Sequence, residues 1–346
     1  MTRLALVMIA RDEARCIGRA LASAAAHVDA MIVLDTGSTD QTAQIAREHG
    51  ARVESFAWRD DFAAARNAAL DLSDADWNLV VDADEWLQGG FEALAPAALT
   101  DPFVGAVRML SDIEGDGQAS TWIPRLLPRG VRYEGRVHEQ PVSDLPLRRI
   151  DLSVRHDGYL PDQLARKGER NETLLLAEID AAPEDGYLWF QLGKEYAVRG
   201  RPPQAALCFA EAYRLTAADA PWRHALVVRA ITALKAAGDL DEAMVLVAAE
   251  IDNWPHSPDF YFAMGDLYLE CASQRPDQAL DDFLPMAEMA WKRCLEIGEA
   301  PELEGAVAGR GGHMAAHNLA VFYESLGRKD VAAEYARLAR DLKGST

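Results

Sequence analysis

MIVLDTGSTDQTAQIA, Met31 to Ala46, changes its period halfway along. Met31–Leu34 is an apolar run of strand length, Gly37 permits a tight turn, and Thr39 or Asp40 can cap a helix continuing to His49. The same rhythm surrounds it: Leu4–Ile9 then Cys16–Ala26, Arg52–Phe56 then Phe62–Leu70, and finally Trp77–Val81. Strands alternating with helices predict a parallel, doubly wound sheet, in which ligands bind at the carboxyl ends of the strands. The expected fold class of the N-terminal region is α/β, Rossmann-like, with a mostly parallel sheet. The chemistry is therefore sought where the first, second and fourth strands end.

After about Leu160 the β signal fades, and the sequence becomes rich in Ala, Leu and Glu with apolar residues at helical spacing. Trp189, Leu192, Gly193, Tyr196, Gly200, Ala205, Phe209 and Ala212 match the tetratricopeptide pattern position by position. The register recurs at Gly238, Ala243 and Pro255, at Tyr261, Gly265 and Tyr268, and at Leu319, Ala320, Tyr323, Gly327, Ala332, Ala336 and Ala339. An insertion falls in the third unit around Gln274–Pro285. Small residues let the two helices of a repeat approach, and aromatic residues fill the gaps between neighbours, so stacking buries what one repeat cannot. The expectation is an α/β domain over 1–160, a helical linker over 161–182 and an all-α solenoid of repeats over 183–346. The solenoid is either core and spacer or a concave surface for an acceptor or a second subunit.

Size and composition agree with two domains: 346 residues exceed what one core usually organises. With 49% hydrophobic and 26% charged residues the chain reads as globular, and no stretch reaches the roughly 18 to 20 apolar residues of a membrane span. A formal net charge of −20 argues against a nucleic-acid coat, which needs a basic footprint. Cys16, Cys208, Cys271 and Cys294 are scattered with no CxxC pair, and the opening MTRLALVMIARDEAR has the look of a buried strand. A reducing, cytoplasmic setting is expected.

Four stretches carry chemistry. In WNLVVDADEWL, Trp77 to Leu87, an apolar strand ends in Asp82, Ala83, Asp84 and Glu85. Alternate residues of an extended chain face one side, so Asp82 and Asp84 can converge on a divalent cation whose other positions are filled by phosphate oxygens. A solvated acidic turn is the plainer account of Asp-x-Asp alone. Asp35, closing an apolar strand, lies within reach of a base or ribose, whereas capping explains Ser38 to Asp40. In IARDEA, Ile9 to Ala14, Ala10, Arg11 and Glu13 close the first strand. In WRDDFAAARNAAL, Trp58 to Leu70, Arg66 and Asn67 sit on the first turns of a helix that Asp60 or Asp61 can cap, where a guanidinium and an amide can meet a diphosphate or base.

Taken together, in this order and within about 85 residues, these four motifs resemble the family 2 inverting glycosyltransferases of the GT-A fold. With FAWRDDFAAARN, DWNLVVDADEWL and the later RVHEQP, the chain is similar to the branch joining a short GT-A domain to tetratricopeptide repeats. That branch includes bacterial lipopolysaccharide-core transferases and the sublancin peptide S-glycosyltransferase. The resemblance covers essentially the whole chain. It implies a divalent metal, Mn2+ or Mg2+, with a UDP-sugar as donor. Asp84 would contact the metal and Asp82 the ribose or donor sugar; Asp35, Arg66, Ala10, Arg11, Glu13 and Ala83 would line the nucleotide-sugar pocket. Many relatives carry a second acidic residue where this chain has Thr36, which bears on uracil recognition.

The segment WIPRLLPRGVRYEGRVHEQPV, Trp122 to Val142, is expected to form the acceptor side. There the resemblance implies an acidic general base, Glu139, with His138 as the alternative base or orienting group; a half-buried strand residue is the plainer account of His138. In VRHDGYLPD, Val154 to Asp162, the resemblance makes His156 a metal or diphosphate ligand, and imidazole suits manganese-type ions. Arg166, Lys167 and Arg170 follow and read as a solvated basic face. The expected activity is metal-dependent, inverting transfer of a hexose from a nucleotide-diphosphate sugar to a saccharide, peptide or protein. The repeats would serve acceptor binding or a homodimer. The rivals are a tetratricopeptide adaptor that keeps the GT-A fold without turnover and a nucleotidyltransferase, which would release pyrophosphate.

Overall fold

Strand β1 (Leu4–Ala10) shows how the first unit is layered. In this computed structural model, which describes residues 2–113, 117–156 and 170–344, Leu4, Leu6, Met8 and Ala10 enter one core and Ala5 and Val7 another. Period-2 side chains buried on both faces are what a sheet sandwiched between helices requires. The first core takes α1 (Ile17–Ala24) and the second takes α3 (Phe62–Asp71). Between them run β2 (Ala30–Asp35), α2 (Thr42–Glu48), β3 (Arg52–Ser55) and β4 (Trp77–Val80). β1 pairs in parallel with β2 and β4, and β2 with β3, as the alternating rhythm predicts.

The second half of this unit departs from that rhythm. β5 (Glu85–Gly89), β6 (Val104–Ile113), β7 (Gly117–Pro128) and β10 (Leu147–His156) extend the sheet in the order β3-β2-β1-β4-β7-β6-β10-β5, while β8 (Arg132–Glu134) and β9 (Gln140–Val142) form a separate ribbon. β7 is antiparallel to β4, and β5 to β10. Only Val81–Asp84 links β4 to β5, four places away in the order. A flat sheet would put those strands about 19 Å apart, at the limit of the chain's reach of roughly 3.6 Å per residue even when straight. The link contains a turn, so the sheet curls and brings β5 back toward the end of β4.

The chain divides into two compact units, Met1–Asp112 with Thr121–Leu174, and Ile113–Ser120 with Leu175–Thr346. After α4 (Arg170–Ala181), the second unit is built of four helix pairs: α5 (Gly186–Val198) with α6 (Pro202–Leu215), α7 (Arg223–Ala237) with α8 (Leu240–Glu250), α9 (Pro258–Gln274) with α10 (Leu284–Ile297), and α11 (His313–Ser325) with α12 (Lys329–Lys343). This is the tetratricopeptide-type solenoid the spacing predicts. A Cβ on Gly193 would stand 2.5 Å from the Phe209 ring, and one on Gly265 would stand 2.5 Å from the Trp291 indole, so only glycine admits these close approaches. The insertion around Gln274–Pro285 is a short turn, Pro276–Gln278, and a π-helical stretch, Ala279–Phe283, leading into α10. In the same unit β11 (Val307–Ala308) pairs antiparallel with Gln118 and Ala119.

All four cysteines are free and buried. Among the described residues no helix is long and apolar enough to cross a membrane. Arg166, Lys167 and residues 161–169 of the expected linker lie outside the described residues.

Candidate active site

Asp82 follows the four buried residues of β4 and the buried Val81. The backbone then turns, because the amide of Glu85 donates to the Asp82 carbonyl at 3.0 Å. This corrects the extended-chain expectation: Asp82 and Asp84 lie on a turn, and alternation along a strand is not what relates them.

What fills this corner is a buried chain of alternating charges. Arg66 on α3 donates through Nη2 to Asp82 Oδ1 at 2.8 Å and through Nε to Glu139 Oε1. Arg125 on β7 donates through Nη2 to Asp82 Oδ2 at 2.8 Å and to Glu85 Oε1 at 2.7 Å. Glu85 Oε2 in turn accepts the Asp82 amide at 2.8 Å, closing the turn on itself. Both arginines and the side chains of Glu85 and Glu139 are buried, whereas the Asp82 side chain keeps 32% of its surface exposed.

Burial by itself would raise the Asp82 carboxyl, but Arg125 and Arg66 outweigh it and hold the group well below the usual carboxylate range. Glu85 goes the other way. Its burial, with the negative charges of Asp82 and Asp84, lifts it to about 7 against the pull of Arg125. Three carboxylates on two guanidiniums leave one negative charge in excess, and it shows at the buried Glu85.

The ribbon strand β8 is held to α3 by Asn67, whose Nδ2 donates to the Tyr133 carbonyl and whose Oδ1 accepts the Tyr133 amide, both at 2.9 Å. Asn67 is therefore spent on positioning backbone, not turned to a diphosphate. α3 is capped by Asp61, which accepts the Ala64 amide at 2.8 Å. Asp60 instead takes a left-handed backbone with φ 54° and accepts Trp58 Nε1. His138, next to Glu139, also has positive φ, at 51°.

At the ends of β1 and β2 the two turns are stitched together. Asp12 Oδ1 accepts the Thr39 amide at 2.7 Å, Thr42 Oγ1 accepts the Glu13 amide at 2.7 Å, and Asp40 accepts the Ala14 amide at 3.1 Å. α2 accordingly begins at Thr42, later than the capping pattern predicts. The buried Asp35 accepts the Ser38 amide at 3.1 Å. Thr36 donates its hydroxyl to the Ala10 carbonyl at 3.2 Å and its amide to the same oxygen at 2.9 Å, so its donors are spent on the sheet. Ala10 and Ala83 are core residues, which leaves only their backbone to a ligand; Arg11 is exposed, with Nε 4.0 Å from Asp12. Glu13 Oε2 accepts the Cys16 thiol at 3.1 Å, and burial, this bond and the nearby charges of Glu13 and Asp84 push that thiol far up.

His156 closes β10 directly opposite Glu85, the residue after Asp84. Cross-strand partners share a face of the sheet, so His156 stands beside the Asp84 turn. No group of three or more His, Cys, Asp or Glu able to hold an ion exists among the described residues. One carboxylate and one imidazole fit a divalent ion that shares its shell with diphosphate oxygens, not one caged by protein alone. Sequence reasoning missed Arg125, Glu85 and Tyr133. A signal existed for the first, an arginine within the apolar run Ile123–Leu127.

Residues 5–143 match the Glycosyl transferase family 2 profile. The match covers most of the mostly parallel, curled sheet of the N-terminal unit, and tetratricopeptide-type helices follow it along the chain. Among curated proteins the chain is 34% identical over 260 residues to a TPR repeat-containing protein of Synechococcus elongatus, covering 70% of this chain and 64% of that one. It is 28% identical over 211 residues to the SPbeta prophage-derived glycosyltransferase SunS of Bacillus subtilis, covering 57% and 50%. The chain therefore spans about half to two-thirds of the length of these relatives. A glucosyl-3-phosphoglycerate synthase of Mycobacterium tuberculosis, solved with Mn2+ and UDP, aligns with 32% of this chain and 44% of its own at 24% identity and a TM-score of 0.27. That similarity assigns no role to any residue here.

Proposed function

We propose that this protein is a metal-dependent, inverting glycosyltransferase that moves a hexose from a nucleoside-diphosphate sugar, UDP-linked, to a saccharide, peptide or protein acceptor. The observation that carries the reading is the Asp82–Glu85 turn at the carboxyl end of β4, clamped by Arg66 and Arg125, with Asp82 still partly open and Glu139 in the same ion network. An α/β sheet offers its ligand site at such strand ends, and a decayed enzyme has no reason to keep four charged side chains buried around a partly open Asp82.

In this reading residues 1–160 carry the chemistry, 161–182 link, and 183–346 hold the acceptor or a second copy of the chain. Asp84 and His156 would hold a divalent ion, which would supply positive charge to offset that developing on the diphosphate. Asp82 orients the donor sugar or ribose, its own position set by two guanidiniums. Glu139 keeps Oε1 on Arg66 and uses Oε2 to take the acceptor's proton as the acceptor oxygen, or sulfur, bonds to the anomeric carbon. The bond from that carbon to the phosphate oxygen breaks on the opposite face, and the nucleoside diphosphate leaves with the electron pair. His138 is the alternative base.

The test is a thermal-shift panel of UDP, GDP, CDP and ADP with and without Mn2+, on the wild type and Asp84→Ala. A ligand that binds only the native state raises Tm by mass action. The expected result is a Mn2+-dependent shift with UDP that Asp84→Ala abolishes, with transfer reduced about 100-fold or more. No shift with any nucleotide at millimolar concentration would transfer the case to a tetratricopeptide adaptor. Release of pyrophosphate would make it a nucleotidyltransferase.

A further inference from the structure

The charged corner contains hydrogen-bond donors that nothing among the described residues accepts. Arg66 Nη1, Arg125 Nε and Tyr133 Oη are buried with no hydrogen-bond partner among the described residues. Arginine Nε atoms left over in this way also occur in the repeats, at Arg223 and Arg310, so they single out nothing. The tyrosine does. Tyr213 donates its hydroxyl to Glu250 at 2.7 Å, and Tyr323 donates to Glu288. Among the described residues Tyr133 alone of the tyrosines has a buried hydroxyl with no partner.

Its placement is built. Asn67 holds both its amide and its carbonyl to α3, and the Arg66 guanidinium lies 5.5 Å from the centre of its ring. The hydroxyl lies within the electrostatic reach of Arg66, Arg125, Glu139 and Asp82, the same side chains that form the ion network. A phenol buried without a partner is less stable than phenylalanine in the same place, because it forfeits its bond to water. A tyrosine fixed at both backbone atoms, in a corner rich in spare N–H groups, suits an oxygen that arrives from outside.

We infer that the Tyr133 hydroxyl, with Arg66 Nη1, forms a subsite that donates hydrogen bonds to an oxygen of the nucleotide-sugar donor, either on the diphosphate or on the transferred sugar. The inference rests on the glycosyltransferase reading above and adds a binding residue to it. Tyr133 moves no proton; it fixes the donor against the Asp82 turn.

The experiment uses Tyr133→Phe in the full chain, with calorimetric Kd for UDP, UDP-glucose, UDP-N-acetylglucosamine and UDP-galactose in Mn2+, and Tm without ligand. The ligand-free Tm is expected to be equal or higher, since an unsatisfied hydroxyl has gone. Kd is expected to weaken at least five-fold. If UDP itself weakens, the oxygen is on the diphosphate; if only the UDP-sugars weaken, it is on the sugar. A Kd within two-fold of wild type for every probe overturns the inference and leaves the hydroxyl to a buried water. A lower ligand-free Tm also overturns it, because the hydroxyl is then bonded inside the empty protein. A wild type that binds no probe sinks the glycosyltransferase reading and this one together, whereas a wild type that binds beside an unaltered Tyr133→Phe sinks only this one.

Discussion

Each unit of this chain buries a cluster of charge, and the two clusters are finished differently. In the repeats, Glu250 receives Tyr213 Oη at 2.7 Å, Arg223 Nη2 at 2.8 Å, Trp254 Nε1 at 2.9 Å and Asn253 Nδ2 at 3.1 Å. Burial pushes its carboxyl up, but those four donors outweigh it and leave the group below its ordinary value. At the end of β4, Glu85 shares Arg125 with Asp82 and is raised to about 7, while Asp82 stays a third exposed and a tyrosine hydroxyl has no partner among the described residues. A cluster whose acceptors are saturated from within holds helices together. One with surplus negative charge, spare donors and an open carboxylate is arranged for something that is not part of the chain.

The comparison breaks most visibly at Glu250. Glu250→Ala should strand the buried Arg223 and cost about 3–5 kcal/mol in urea unfolding. It should leave the UDP-induced rise in Tm of the surviving folded protein as it was; a lost rise would mean that the repeat cluster is part of the site. Packing supplies the next test, since the repeats also rest on contacts without charge. Gly265→Ala drives a Cβ into the Trp291 indole and should cost about 2 kcal/mol, with no change in nucleotide affinity.

The smallest effect concerns Lys194, half-buried on α5, which donates to Gln191 Oε1 at 2.9 Å. Burial first, then Arg229, pulls its ammonium down to about 8 against Glu304 and Glu195. A lysine whose folded value lies below its unfolded one binds fewer protons when folded, so its penalty is constant below about pH 8 and fades as pH rises toward the unfolded value. Wild type should therefore gain about 1 kcal/mol on Lys194→Met between pH 7 and about pH 8.5. A difference flat across that range would show that the ammonium is fully solvated, and that the repeats bury no strained charge.

Much of the fold was visible from residue order. The runs at Leu4–Ile9, Met31–Leu34 and Trp77–Val81 became β1, β2 and β4 within a residue or so, because apolar alternation and length report strands directly. Gly193, Phe209 and Gly265 became close helix contacts for the same reason. The mixed half, β5 to β10, in which β10 runs parallel to β6 and antiparallel to β5, was not foreseen: its strands are joined by irregular connections that carry no period. The site was visible in part. Asp82, Arg66 and Glu139 were named, but Asn67 was read as meeting a diphosphate or base when its amide holds the Tyr133 backbone, and nothing local distinguishes those uses.

By itself the sequence determined the class of each segment and the order of its motifs, since periodicity, turn residues and caps act between near neighbours. Only the tertiary structure decided that Arg66 meets Glu139, 73 residues away, and that Arg125 meets Asp82 from 43 residues away. Those meetings follow from strand order and from the curl that returns β5 to the end of β4. A pairing between distant charges is set by where the sheet delivers them, and no spacing along the chain encodes that delivery.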